Sequence, residues 1–241
     1  MTAHSHDTAG VADRPIRAVL FDYAGTMTEE MLPAVAAHAA AAGATTEGLA
    51  EVLLGTYGDA SEHPLHRVER GEMSLVDLAS WGRTQGAARG WDIDLGALYS
   101  SIMDLPIRPQ MIECLRRLRV GGVRTALVTN AAREGAVQWR ASGLIDELFD
   151  EVIDSSAVGV RKPDRAIFAL TLDRLGVTAD EAVLLDDMQI NVDAAIAMGM
   201  HGIRVGPDAT QALLELDLLL DGQSQQVELS LNHTSTSRQL H

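Results

Sequence analysis

The chain has very little cysteine, lysine or aromatic side chain. A single cysteine in 241 residues, Cys114, excludes a disulfide framework. It falls on the apolar stripe Met111, Leu115, Leu118 of a predicted helix, which reads as a core thiol in a reducing compartment. Aromatic residues are 4% of the chain, yet 46% is hydrophobic, enough for one globular domain plus an insert. A chain of this length buries roughly 70% of the surface its unfolded form exposes, so its core needs no staple. Positive charge is also scarce. Nineteen basic residues face 34 acidic ones, for a net charge of −15, which excludes an electrostatic nucleic-acid binder. No apolar run approaches the roughly 20 residues of a membrane span, and the N-terminus lacks a signal-peptide core. The expected setting is cytoplasmic, with no membrane partner, and the sequon Asn232-His233-Thr234 is then a chance match. Of the basic residues only one is lysine, Lys162.

What the chain does have is a set of short apolar runs that end in polar residues. Ala18 to Phe21 suits a buried strand; it ends at Asp22, and Gly25 lets the backbone turn away. An acid at the C-terminal end of a buried strand stands where an open α/β sheet puts its ligand site, although a carboxylate there also suits a simple turn cap. Thr125 to Val128 leads to Thr129 and Asn130, and Ala182 to Leu185 leads to Asp186 and Asp187. Between these last two, the loop Val158 to Asp164 carries Lys162 just before a predicted helix.

Asp, Thr, Lys and Asp-Asp, in that order on a βαβ background, resemble the haloacid dehalogenase (HAD) superfamily of aspartate-nucleophile hydrolases. The resemblance covers roughly residues 15 to 206. It implies an α/β fold, a Rossmann-like parallel sheet core with an inserted all-helical cap domain. The sequence supports that division. Residues 31–105 read as all-helical, and the chain after Pro109 alternates strand and helix through short loops, as right-handed crossovers between parallel strands require. The expected layout is a core of 15–30 and 106–221, a cap of 31–105, a disordered tail at 1–14 with His4 and His6, and a flexible tail at 222–241. Within the cap, the polar run His63 to Glu72 either lines the substrate side, offering Arg67 or Arg70 to an anion, or is a solvated junction. In the superfamily such caps close over the substrate and exclude water.

By resemblance, Asp22 is a nucleophile that forms an aspartyl-phosphate. Mg²⁺ is held by Asp22, the Ala24 carbonyl and Asp187, with Asp186 acting directly or through water; this is the sparse oxygen site Mg²⁺ prefers. Lys162 neutralises the carboxylate–phosphate pair, and Thr129, Asn130 and the main-chain N–H groups that follow bind phosphoryl oxygens. Asn191 orients the acid pair. One position departs from the pattern: Ala24 stands where the superfamily's phosphatases carry the acid that protonates the leaving oxygen. General acid–base help is worth about 10²–10⁴-fold, so Ala24 points to a leaving group that departs unaided, or to an acid supplied by the cap or the substrate. Phosphonoacetaldehyde hydrolases share Asp-x-Ala-Gly-Thr but use a cap lysine, which is lacking here. The 2-haloacid dehalogenases need no metal, so the Asp186-Asp187 pair argues against them. The pattern is nearest to the phosphatase-like N-terminal domain of soluble epoxide hydrolases. The expected activity is Mg²⁺-dependent hydrolysis of a small phosphorylated metabolite by a monomer or homodimer; the alternative is a silent phosphate-binding or regulatory protein.

Overall fold

A computed structural model of the chain describes residues 14–55, 63–136 and 143–221. Residues 1–13 of the expected tail at 1–14, with His4 and His6, and the expected tail at 222–241, with Asn232, lie outside these residues; so does most of the stretch from Arg133 to Ala141, which reads in the sequence as a helix.

Five strands form one parallel sheet in the order β3-β2-β1-β4-β5: β1 Ala18–Phe21, β2 Arg124–Thr129, β3 Glu151–Asp154, β4 Ala182–Asp186 and β5 His201–Arg204. Successive side chains on a strand point to opposite faces, and the burial follows that rule. Val19, Phe21, Leu127, Val183 and Leu185 pack with Met111, Cys114 and Leu115 of the helix Pro109–Val120 and with Leu216 of the helix over 210–221. Ala18, Leu20, Ala126, Val128 and Leu184 pack on the other face with Ile167, Phe168 and Leu172 of the helix Arg165–Leu175. A sheet covered on both faces reads as continuous apolar runs, which is why these strands were visible in the sequence. Cys114 is buried, and that burial pushes its thiol pKa up to about 11.

Between the turn after β1 and the helix Pro109–Val120, the described residues form five helices: α1 Leu32–Ala42, α2 Thr46–Leu54, α3 Pro64–Glu69, α4 Leu75–Ala87 and α5 Leu95–Met103. Their starts follow local chemistry. Thr45, Ser74 and Asp94 cap their helices by accepting from main-chain N–H groups three residues on, satisfying donors that the first turn leaves open. The segment enters and leaves the core through paired strands of chain. Thr28 bridges Ile107, the Glu29 N–H donates to the Pro106 carbonyl, and the Arg108 N–H donates to the Met27 carbonyl. Arg108 is buried and donates its guanidinium to the carbonyls of Thr28, Gly25 and Pro207 at 2.7, 3.3 and 3.0 Å. Both linkers are thereby fixed to the turn that follows β1.

Candidate active site

In the parallel register Phe21 pairs with Leu185 on one side and Leu127 on the other. The next residues, Asp22 and Asp186, therefore end side by side at the middle of the sheet, and Thr129 comes up on β2. The strand order reverses about β1, and such a switch point opens a crevice beyond the carboxyl ends of the strands. The sheet topology alone brings three of the four polar clusters to one edge.

Lys162 joins them. Its loop is held by Asn130, whose Oδ1 accepts from the Lys162 N–H at 2.8 Å and whose Nδ2 donates to the Lys162 carbonyl at 3.0 Å. The carboxamide of Asn130 is thus occupied in placing the lysine. From there Lys162 Nζ donates to Asp22 Oδ1 and to Asp186 Oδ2, each at 2.6 Å. The ammonium is almost fully buried. Burial works against its charge, but the pull of Asp186 and Asp22 outweighs it and raises its pKa. A buried cation of this kind is tolerated only because two carboxylates meet it with good geometry.

The three aspartates play different parts. Asp186 is the most engaged: besides Lys162, its Oδ1 accepts from the Met188 N–H and from Asn191 Nδ2, both at 2.9 Å. Asn191 thereby sits where it orients the acid pair. Asp187 is not saturated; its buried Oδ1 has no hydrogen-bond partner. Oxygens of Asp22, Asp186 and Asp187 lie within 4.8 Å of one another. A buried carboxylate oxygen with no donor, beside two more carboxylates, is a costly arrangement unless a cation joins it. The group fits a hard divalent ion, with Asp22, Asp186 and Asp187 each offering a carboxylate oxygen. Burial, only partly offset by Lys162, leaves Asp22 raised to about 6. Burial and then the charges of Asp22 and Asp186 push Asp187 up to about 8. Gly25 makes the turn possible. Its φ is +83°, and a Cβ there would stand 2.6 Å from Asp187 Oδ2, so only glycine lets the acid come this close.

Above the carboxylates is a narrow cavity of about 90 Å³. Ala24, Asp22, Thr129, Lys162 and Asp187 form its floor; Met31, Leu53, Leu54, Leu65, Ile102 and Met103 form its apolar walls. Ligand pockets typically measure roughly 300–1,000 Å³, so the helical segment stands closed over the site. Two wall residues were not singled out in the sequence, Tyr99 and Glu69. The Tyr99 hydroxyl accepts from the Ala132 N–H at 2.8 Å, and Ser155 Oγ accepts from the Ala131 N–H at 3.0 Å. Two of the main-chain donors expected to bind phosphoryl oxygens are therefore already engaged. Nor do Arg67 and Arg70 reach the cavity: both pair with Glu72, at 3.9 and 2.7 Å. The polar run faces the site through Leu65 and Glu69 instead.

The family profile for haloacid dehalogenase-like hydrolases matches residues 16–199. The chain belongs to this family. It is a HAD hydrolase, and its relatives spread across that family's chemistry. It is 30% identical over 161 residues to mouse acyl-CoA dehydrogenase family member 10, covering 65% of this chain and 15% of that one. It is 33% identical over 116 residues to a sesquiterpene phosphatase of Aspergillus oryzae, covering 47% and 59%. Against rat bifunctional epoxide hydrolase 2 it is 28% identical over 221 residues, covering 84% and 38%. The HAD chain thus spans less than two thirds of the length of each of these relatives. Among solved structures, an L-2-haloacid dehalogenase from Xanthobacter autotrophicus superposes with a TM-score of 0.58 at 22% identity, covering 83% and 81%. A HAD enzyme from Bacteroides thetaiotaomicron, in complex with magnesium and inorganic phosphate, does so with a TM-score of 0.56 at 14% identity, covering 81% and 98%. At these identities the structures establish the shared fold. No helix among the described residues is long and apolar enough to cross a membrane.

Proposed function

We propose that this HAD hydrolase is a Mg²⁺-dependent phosphatase acting through Asp22 on phosphate monoesters of small, apolar alcohols. The observation that carries the reading is the Lys162 ammonium bridging Asp22 and Asp186 at 2.6 Å under an apolar cavity. At neutral pH a carboxyl with a pKa of about 6 is mostly ionised, as a nucleophile must be. Asp22 attacks phosphorus with one oxygen while Lys162 offsets the charge that gathers between carboxylate and phosphoryl group. The Thr129 hydroxyl, at the end of β2, is positioned to donate to a phosphoryl oxygen. Asn130 and Asn191 act through Lys162 and Asp186, fixing their angles. Asp22, Asp187 and the Ala24 carbonyl are the groups that hold Mg²⁺, which when bound neutralises the phosphoryl oxygens.

The substrate class follows from the walls. Six aliphatic or thioether side chains of the helical segment line the cavity, and no arginine or lysine of that segment does so among the described residues. A sugar or a second phosphate would lose its hydration there without gaining partners. An apolar alcohol loses nothing, and a relative named a sesquiterpene phosphatase agrees with that choice. Phosphate release from alkyl, aryl and sugar phosphates, with and without Mg²⁺, tests the reading. The apolar esters should react fastest, only with Mg²⁺, and not at all in Asp22→Asn. Metal-independent chloride release from 2-chloropropionate would replace it with a dehalogenase. Ala24 favours one second reading, a protein that binds phosphate but does not turn esters over; Mg²⁺-dependent phosphate binding with no hydrolysis across the panel would establish that instead.

A further inference from the structure

The floor of the cavity has no proton donor where Ala24 stands, and the cavity offers one elsewhere. Its ionisable wall and floor groups among the described residues are Asp22, Asp187, Lys162, Tyr99 and Glu69. Asp22 is the attacking group, Asp187 belongs to the cation site, and Lys162 is tied to two carboxylates. The Tyr99 hydroxyl is held by the Ala132 N–H, and burial raises its pKa above that of an ordinary phenol, which makes it a poor acid. Glu69 remains. It lies on α3, one turn beyond Leu65, and is buried. Its Oε2 accepts from Arg161 Nε at 2.5 Å. Arg161 precedes Lys162 in the chain, so this contact fixes the cap carboxyl to the loop of the catalytic ammonium.

We infer that Glu69 is the proton-transfer residue of this site, donating to the leaving oxygen from the cap in place of the acid missing at position 24. The inference rests on the phosphatase reading above. Asp22 forms its bond to phosphorus as the P–O bond to the alcohol breaks, and the electron pair left on that oxygen takes the proton of the Glu69 carboxyl. The alcohol then departs. The Glu69 carboxylate next takes a proton from the water that attacks the aspartyl-phosphate; inorganic phosphate leaves and both carboxyls return to their starting states. The groups facing Glu69 are Arg161, Lys162 and Asp22 from the core and the Tyr99 hydroxyl from α5. Burial outweighs the two cations and raises its pKa, so the carboxyl holds a proton further toward neutral pH than an ordinary glutamate does. A proton donor on the cap also ties chemistry to closure, since it is in place only when α3 covers the site.

The test compares hexyl phosphate, a poor leaving group, with p-nitrophenyl phosphate, a good one, in the Mg²⁺-loaded full chain. In Glu69→Gln, p-nitrophenol should still be released in a first-turnover burst within about tenfold of the native rate, followed by turnover slowed about 10²-fold. Hexyl phosphate should show no burst and lose at least about 10²-fold, and the alkaline limb of its pH profile should disappear. A purely structural role for the Glu69–Arg161 pair slows both bursts equally, and that result, or no change at all, overturns the inference. Glu69→Asp keeps the charge and retracts the carboxyl by one methylene, so it should show the same split if Glu69→Gln does not fold; an unaltered leaving-group dependence in Glu69→Asp overturns the inference too. Asp22→Asn distinguishes the two levels. Loss of both bursts there, with no split at Glu69, removes only the inference, whereas failure of the native protein to hydrolyse either ester removes the phosphatase reading along with it.

Discussion

The two sides of the cavity are built on opposite plans. On the core side polar groups meet polar groups: Lys162 between two aspartates, Asp186 accepting three hydrogen bonds, Asn130 spanning the lysine's main chain. On the cap side, Met31 just ahead of α1 and Leu53, Leu54, Ile102 and Met103 of α2 and α5 line the cavity, and the buried Glu69–Arg161 hydrogen bond crosses between the sides. A connected polar network holds its members at fixed angles. An apolar wall fixes no register and selects by size and hydration. The aspartates and the ammonium therefore belong to the sheet edge, while the apolar wall, with Glu69 beside it, belongs to the cap.

The sharpest way to break that division is at Lys162. Lys162→Met leaves Asp22 and Asp186 buried without their cation. Removing one partner of a buried pair costs about 3–5 kcal/mol, and loss of the charge offset at phosphorus should lower kcat at least about 10³-fold on every ester. Thermal unfolding and a substrate panel measure the two effects. Unequal loss across esters would place specificity in the core and dissolve the contrast.

The next effect appears when the cation is withdrawn. Asp22 and Asp187 have folded pKa values raised from 3.8 to about 6 and about 8. The folded state then holds their protons more tightly than the unfolded chain does. The stability this confers is complete below 3.8 and is lost as pH rises through about 6 and about 8. In chelator, Tm should fall by several degrees across that window. Mg²⁺ binds the ionised carboxylates and should restore most of the loss at the alkaline end while changing little at the acid end. A flat Tm in chelator would mean that the aspartates are not a cation site.

The same contrast governs what could be read from sequence. Strands covered on both faces appear as unbroken apolar runs, so β1, β2 and β4 and the polar residues that end them were visible, and the order of the motifs supplied Thr129, Lys162 and Asn191. The cap gave fewer signals because its helices are short and its inner face depends on which stripe turns inward. Within His63 to Glu72 the charged arginines drew attention, yet Leu65, Val68 and Glu69 fall at i, i+3 and i+4, the spacing of a buried helical face. Glu69 lay on that stripe all along, and Arg67 lay off it. Tyr99 follows the same rule with Leu95, Leu98 and Ile102. Asn130 came to the phosphate site through the resemblance; its grip on the Lys162 main chain depends on a loop 32 residues away, which no local pattern encodes.

That stripe also sets the smallest expected effects. Leu54 is on the wall, so Leu54→Ala should weaken binding of apolar esters; methylene-scale changes in an apolar pocket are worth about 1–3 kcal/mol. The expected result is a KM raised about tenfold with kcat and Mg²⁺ dependence unchanged, because the floor is untouched. Arg67 and Arg70 differ from it in charge and in position. Both are engaged with Glu72, away from the wall, and an exposed pair contributes about 0–1 kcal/mol. Arg67→Ala and Arg70→Ala should therefore leave KM for every ester where it was. If either raised KM for phosphate esters generally, the cap would carry a cation to the anion, and binding of the phosphoryl group would no longer belong to the sheet edge alone.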